Sequence, residues 1–178
     1  MPKKINIRVL TTAAMLTAMS IIIGIFCKTY MDFGRGLFRI TFENLPIILA
    51  GIFFGPLVGG IVGAASDVIS YLLSTQVYGI NLIVTAGAVT VGVVSGIVSH
   101  YIVKKNGYVK FVLSCVIAHI LGSMIVKSIG LYQFYGVAVM WRIPTYILII
   151  AIESTILCFL YKNKNFKRLI EDMWSFGR

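Results

Sequence analysis

A chain of 178 residues with 58% hydrophobic and 12% charged residues, and a mean hydropathy of +0.93, lies far from the soluble range of about 45–50% apolar. This excludes a soluble domain and leaves a polytopic membrane protein of one domain, residues 1–178, with room for about six spans of roughly 20 residues. A net charge of +10 would suggest nucleic acid in a soluble protein, but its distribution points elsewhere.

Eleven of the sixteen cations form three groups: Lys3, Lys4 and Arg8; Lys104, Lys105 and Lys110; Lys162, Lys164, Lys167, Arg168 and Arg178. The positive-inside rule places all three groups in the cytoplasm, so an even number of crossings separates each from the next. The expectation is an all-α integral membrane protein, a bundle of six transmembrane helices with both termini cytoplasmic.

Span one covers about residues 9–26. It lacks a small-residue cleavage site and reads as a retained helix rather than a signal peptide. Ala14 and Ala18 share one face with Ala13 and Thr17 beside them, a smooth patch suited to packing within the bundle or to docking on another membrane subunit. An outer loop over 28–39 carries Lys28, Tyr30, Asp32, Phe33, Arg35 and Arg39. Span two, about 42–54, is short for a bilayer; either it tilts, or Glu43 and Asn44 form a first turn inside a polar cavity.

From Arg39 to Asp67 the chain reads RITFENLPIILAGIFFGPLVGGIVGAASD, with Gly51, Gly55, Gly59, Gly63 and Asp67 every four residues. The Gly55-Pro56 break predicts a helical hairpin. Its second helix, 56–73, would carry a stripe nearly free of side chains, against which another helix packs backbone to backbone. Asp67 closes the stripe about 16 Å beyond Pro56 by helix rise. A carboxylate at that depth costs roughly 2.5–3.5 kcal/mol on insertion scales, so it should face the bundle interior and have a partner. After an uncharged loop over 74–81, span four, 82–103, repeats the device with Ala88, Gly92, Gly96 and His100. Span five, about 111–130, has Ser114, Ala118 and Gly122 at the same spacing; a loop over 131–136 leads to span six, about 139–161. Cys27, Cys115 and Cys158 suggest neither a disulfide framework nor a metal site.

Asp67, His119, Lys127, Arg142 and Glu153 lie within or beside spans and call for an account. His119 and Glu153 each fall about 12 Å from the cytoplasmic side, so antiparallel neighbours would pair them. A buried pair that fixes helix register, rather than a proton relay, is the expectation; Glu153→Leu should then leave ligand binding intact. Arg39, Lys127 and Arg142 cluster at the outer face against the positive-inside trend. Each alone would be a snorkelling cation; together they suggest a pocket for an anion. Phe33, Phe38, Tyr78, Tyr132, Phe134, Tyr135 and Trp141 bracket them, as an interfacial belt or as walls for a flat ring, with Asp67 at the floor accepting from its N–H groups.

No phosphate loop, zinc-ligand spacing or H-E-x-x-H is present. Ser95 with His100, or Ser66 with Asp67, lacks the setting of a hydrolase nucleophile, so no enzyme activity is expected. A channel would need a continuous polar lining, whereas these spans supply isolated charges.

The alanine pair, the long first outer loop, the Arg39–Asp67 block and the basic cytoplasmic ends together resemble the S components of energy-coupling factor (ECF) transporters, small membrane proteins that capture vitamins for bacterial uptake. Within that superfamily, Arg-Ile-x-Phe-x-Asn-Leu-Pro followed by Gly-Pro and Gly-x-x-x-Asp looks most like the folate-specific members. The resemblance implies that the Ala14/Ala18 face docks on a transmembrane scaffold subunit, that two ATPase subunits drive the cycle in a bacterial plasma membrane, and that the S component topples to release its ligand inside. It also implies that connections 28–39, 74–81 and 131–140 line or cover the outer site. The implied ligand is folate, with a flat pterin and two tail carboxylates. Asp67 would hold the pterin edge, and Arg39, Arg142 and Lys127 the tail. Tyr78, Asn81 and Trp141 complete the expected binding residues, with no cofactor and no metal. A cationic vitamin such as thiamine would want acidic groups at this face, where only Asp32 and Glu43 are available. Riboflavin or pantothenate as ligand, and a membrane assembly protein whose charges only order the bundle, remain alternatives.

Overall fold

A computed structural model describes residues 7–33, 38–73, 81–103, 107–164, 166 and 168. Apart from a two-residue pair of antiparallel strands, its regular elements are helical. They are α1 (Ile7–Tyr30), β1 (Asp32–Phe33), β2 (Phe38–Arg39), α2 (Asn44–Phe54), α3 (Pro56–Leu73), α4 (Leu82–Ile97), α5 (Tyr108–Ala118), α6 (Ser128–Tyr135) and α7 (Arg142–Lys162). A π-turn over Val98–Ile102 extends α4, a longer π segment over His119–Lys127 joins α5 to α6, and a 3₁₀ turn over Gly136–Trp141 leads into α7.

Among the described residues, four helical stretches are long and apolar enough to cross a membrane: Ile7–Tyr30, Pro56–Leu73, Leu82–Ile102 and the run Tyr108–Lys162. Large apolar side chains such as Ile22, Leu57, Leu72 and Phe159 cover the outside. In water such a surface would be a liability; in lipid it is the matching solvent.

All eleven residues of α2 are buried. The helix sits at the centre, touching α1, α3, α4 and α5. At about 16 Å of rise it is too short for a bilayer of about 30 Å. Enclosure on all sides lets so short a helix stand within the bundle, with Asn44 buried at its first position.

The predicted Gly-Pro hairpin forms. Gly55 takes φ of +89°, open to glycine and strained for other residues, and its N–H closes α2 by donating to the Gly51 carbonyl at 2.9 Å. Beyond it the two small stripes meet. A Cβ on Gly59 would stand 2.5 Å from the Gly92 carbonyl oxygen, and one on Gly63 would meet the Ala88 carbonyl. This seam brings backbone against backbone, so dispersion and weak Cα–H···O contacts replace interdigitated side chains. His100, on the π-turn after α4, donates from Nε2 to the Ile52 carbonyl at 3.1 Å, near the end of α2.

Two expectations are corrected. The outer loop was expected to begin at Lys28, but α1 continues through Tyr30 and keeps Lys28 in its last turn. The loop expected over 131–136 is mostly helix: α6 runs to Tyr135 and ends at Gly136, whose φ is +55°. Apolar residues with few breakers before that glycine let the helix continue.

Candidate functional site

The end of the bundle where α1 and α3 finish and α2, α4 and α7 begin holds a cavity with about 1030 Å³ of empty space, including its open mouth. Lys28 from α1, Arg39 from β2, Glu43 and Asn44 at the head of α2, Asp67 and Tyr71 from α3, and Asn81 and Thr85 from α4 line it. Lys127, Phe134 and Tyr135 from the α5–α6 run, and Arg142 and Tyr146 from α7, complete the wall. Four cations face two carboxylates, a surplus of two positive charges in a low-dielectric surround.

Those charges are not equivalent. Lys127 Nζ donates to Glu43 Oε1 at 3.3 Å and to Asn44 Oδ1 at 3.1 Å. Lys28 Nζ lies 4.0 Å from the other oxygen of Glu43. One carboxylate thus bridges both lysines and offsets one of their two charges. Supporting contacts fix it: Ser20 Oγ donates to the Glu43 carbonyl at 2.7 Å, and the Asn44 amide donates to Ser123 Oγ at 3.3 Å. The arginines are differently placed. The buried Nε atoms of Arg39 and Arg142 have no hydrogen-bond partner among the described residues. Arg142 stands 5.9 Å from the centroid of the Tyr146 ring, within cation–π range. A buried donor left unpaired is costly, so two guanidinium groups lining a cavity favour an incoming acceptor. Asp67 accepts at Oδ2 from Thr85 Oγ1, 2.7 Å away, which fixes the carboxylate against α4.

Of the residues expected to bind ligand, Arg39, Asp67, Asn81, Lys127 and Arg142 come together on this cavity. Tyr78 lies outside the described residues. Trp141 does not line the cavity: it closes the 3₁₀ turn with 66% of its surface exposed, while the next residue, Arg142, turns inward and is 6% exposed. The Asn81 amide is engaged in structure, its Oδ1 accepting from the Ile83 N–H at 2.9 Å as an N-cap and its Nδ2 donating to the Gly130 carbonyl at 2.7 Å. Tyr132 is exposed beside an apolar groove on the far side of α6, whereas Phe134 and Tyr135 reach the cavity. Lys28 and Thr85 were missed as site residues. The signal for Lys28 was a cation ending an apolar helix; Thr85 is four residues after Asn81, with nothing in the sequence to pair it with Asp67. Ala14 and Ala18 are exposed on α1, so among the described residues this face is not used for packing.

Deeper in the bundle, His119 and Glu153 meet as their depths suggested, Nε2 to Oε2 at 2.7 Å with both side chains 0% exposed. They stand apart from the cavity lining.

An apolar-coated helical bundle with one charged, partly open cavity among its helix ends is a membrane-embedded solute-binding protein. Residues 8–169 match the family model described as ECF transporter, substrate-specific component. The chain belongs to that family, whose members are transport subunits rather than enzymes. It is similar to the folate transporter FolT of Clostridium novyi (strain NT), 30% identical over 141 residues covering 77% of this chain and 74% of the relative. Among solved structures, FolT bound with folic acid superposes with a TM-score of 0.65 at 22% identity, covering 88% of this chain and 95% of that one. A bacterial ECF transporter S component superposes at 0.62 and 23% identity, covering 93% and 97%. At these identities the structural likeness speaks for the fold.

Proposed function

We propose that this chain is the folate-binding S component of an ECF transporter, with six spans, both termini in the cytoplasm and its cavity facing outward in a bacterial plasma membrane. The observation that carries the ligand assignment is the pair of buried guanidinium groups, Arg39 and Arg142, unpartnered at Nε and sharing one cavity with Asp67. Kinship with a folate transporter supports it. Folate has two tail carboxylates for planar, two-pronged arginine partners and a pterin whose N–H groups need an acceptor such as Asp67. Phe134 and Tyr135 offer apolar ring faces along the same cavity. Lys127, already held by Glu43 and Asn44, acts on the tail through the field of the site rather than as its first contact.

The exposed Ala14/Ala18 face of α1 is the docking surface for a transmembrane scaffold subunit, with two ATPases supplying the energy that this chain has no phosphate loop to harvest. The test is calorimetric titration of the purified protein in detergent with folate, 5-formyltetrahydrofolate, riboflavin and pantothenate. Saturable binding of the folates alone is expected. Binding of riboflavin or pantothenate instead would overturn the ligand, and a folded protein that binds none of the four would overturn capture of these vitamins. Heat is the better signal because Trp141 faces away from the cavity.

A further inference from the structure

We propose that Cys115, His119 and Glu153 form a binding site for one divalent transition-metal ion of the zinc or cobalt class, buried between α5 and α7 and separate from the vitamin cavity. Cys115 and His119 are four residues apart and share a helix face one turn apart; Glu153 comes from α7 opposite. Donor atoms from the three lie within 4.8 Å of one another, and all three residues are 0% exposed. A tetrahedral set built on metal bonds of about 2.0–2.3 Å holds its donors about 3.3–3.8 Å apart. Closing the observed cluster on an ion takes side-chain movement of about 1 Å, within the reach of small rotamer adjustments.

An independent observation points the same way. His119 Nδ1 and Glu153 Oε1 are buried and have no hydrogen-bond partner among the described residues. Buried polar atoms are nearly always paired, and these two are a ring nitrogen and a carboxylate oxygen, both metal-ligating types. The cluster therefore holds unused donor capacity beside a thiol. Charge balance completes the case. The ion enters as M²⁺ and the Cys115 thiol releases its proton to water, so thiolate, carboxylate and ion sum to zero around a neutral imidazole. A low-dielectric interior tolerates that neutral set far better than separate charges. One thiolate, one imidazole and one carboxylate suit zinc or cobalt, and the absence of an all-oxygen shell disfavours magnesium and calcium. Bound there, the ion would clamp the α5 end of this helical run to α7 eight residues before Lys127, which lines the cavity.

Cobalt(II) is the probe, because cobalt bound to thiolate shows a charge-transfer absorption that aqueous cobalt lacks. The full chain is expressed in cobalt-supplemented medium and, separately, titrated with Co²⁺ after purification. One equivalent with the thiolate band is expected by at least one route. The band should be lost in Cys115→Ser and in His119→Ala while helix content and monodispersity persist. It should remain in Cys27→Ser/Cys158→Ser, which leaves Cys115 as the sole cysteine. Wild-type protein without cobalt by either route overturns the site. So does a band unchanged in Cys115→Ser, or one abolished in folded Cys27→Ser/Cys158→Ser. Should Cys115→Ser fail to fold, wild type and the sole-cysteine variant still decide between these outcomes. Because cobalt uptake is read directly, failure here is distinguishable from failure of vitamin binding.

Discussion

Lys127 and Glu43, 84 residues apart, meet at 3.3 Å across the floor of the cavity, with Asn44 as a second acceptor for the same ammonium at 3.1 Å. Glu43 also faces Lys28 at 4.0 Å, so its one negative charge serves two cations. Glu43→Gln removes that charge and leaves both lysines uncompensated in a desolvated wall. A loss of about 3 kcal/mol is expected, as for breaking other buried pairs. Thermal unfolding should show it, and Glu43→Gln/Lys127→Met should recover part of the loss. Folate should raise the melting temperature of Glu43→Gln by more than that of wild type, since its carboxylates then supply the missing anion.

Arg142→Lys keeps the charge and removes the planar fork. A charge-assisted hydrogen bond is worth about 1.5–3 kcal/mol, so folate affinity should fall about 10- to 150-fold, and Arg39→Lys should behave alike. Lys127→Gln should cost less affinity than either, because Glu43 and Asn44 already occupy its ammonium. Calorimetric titration of the three variants ranks them; a larger loss at Lys127 would place a carboxylate there instead.

Thr85 reaches Asp67 from a neighbouring helix at 2.7 Å. Thr85→Val keeps the shape and removes that donor, leaving the carboxylate to turn. Affinity for folate should drop by about 10-fold, the worth of one hydrogen bond, with little change in melting temperature. Unchanged affinity would mean that Thr85 does not position Asp67 for the ligand.

Gly92→Val forces side-chain atoms into the α3 backbone at Gly59 and Gly60. At least the 1–3 kcal/mol typical of overpacking should be lost, and more if the seam opens, as read by thermal unfolding or by yield of monodisperse protein. Gly107→Ala is the control, with nothing within 4 Å of the added carbon. Equal melting temperatures for the two variants would show that the close approach is dispensable.

Ala14→Trp and Ala18→Trp add bulk to an exposed face of α1. Folate binding by the isolated chain should be unchanged, whereas uptake by cells carrying the whole transporter should stop. Uptake that survives both would remove the docking role.

The Gly-Pro hairpin, the paired small stripes and the His119–Glu153 contact were legible because each follows from spacing along a helix, where period and rise convert directly into face and depth. The five binding candidates that share the cavity were legible as charges that lipid does not tolerate without cause. Trp141 lies off the cavity, which sequence could not show because belt aromatics and wall aromatics look alike there; only the helical phase at the 3₁₀ turn separates it from Arg142. Lys28 was assigned to a loop because helix ends are set by capping and tertiary contact more than by composition. The Thr85–Asp67 bond depends on how two glycine stripes register, a property of both helices at once. The cluster was missed at Cys115, which lies four residues before His119 on the same face but reads in sequence as an ordinary apolar thiol.

The α3–α4 seam carries a further consequence. Helices locked by teeth alone can slip a notch and re-engage, but here backbone also rests on backbone at Gly59, Gly63 and Gly92, with the Val93 side chain seated over Gly60. The two rods form one slab, intolerant of any added atom at these glycines. Asp67 and Thr85, mounted on opposite halves of that slab, are therefore a fixed gauge. A descendant of this chain that changed its cargo would have to do so from the other bank of the cavity, where Arg39 sits on a two-residue strand and Phe134 and Tyr135 sit at the end of the eight-residue α6.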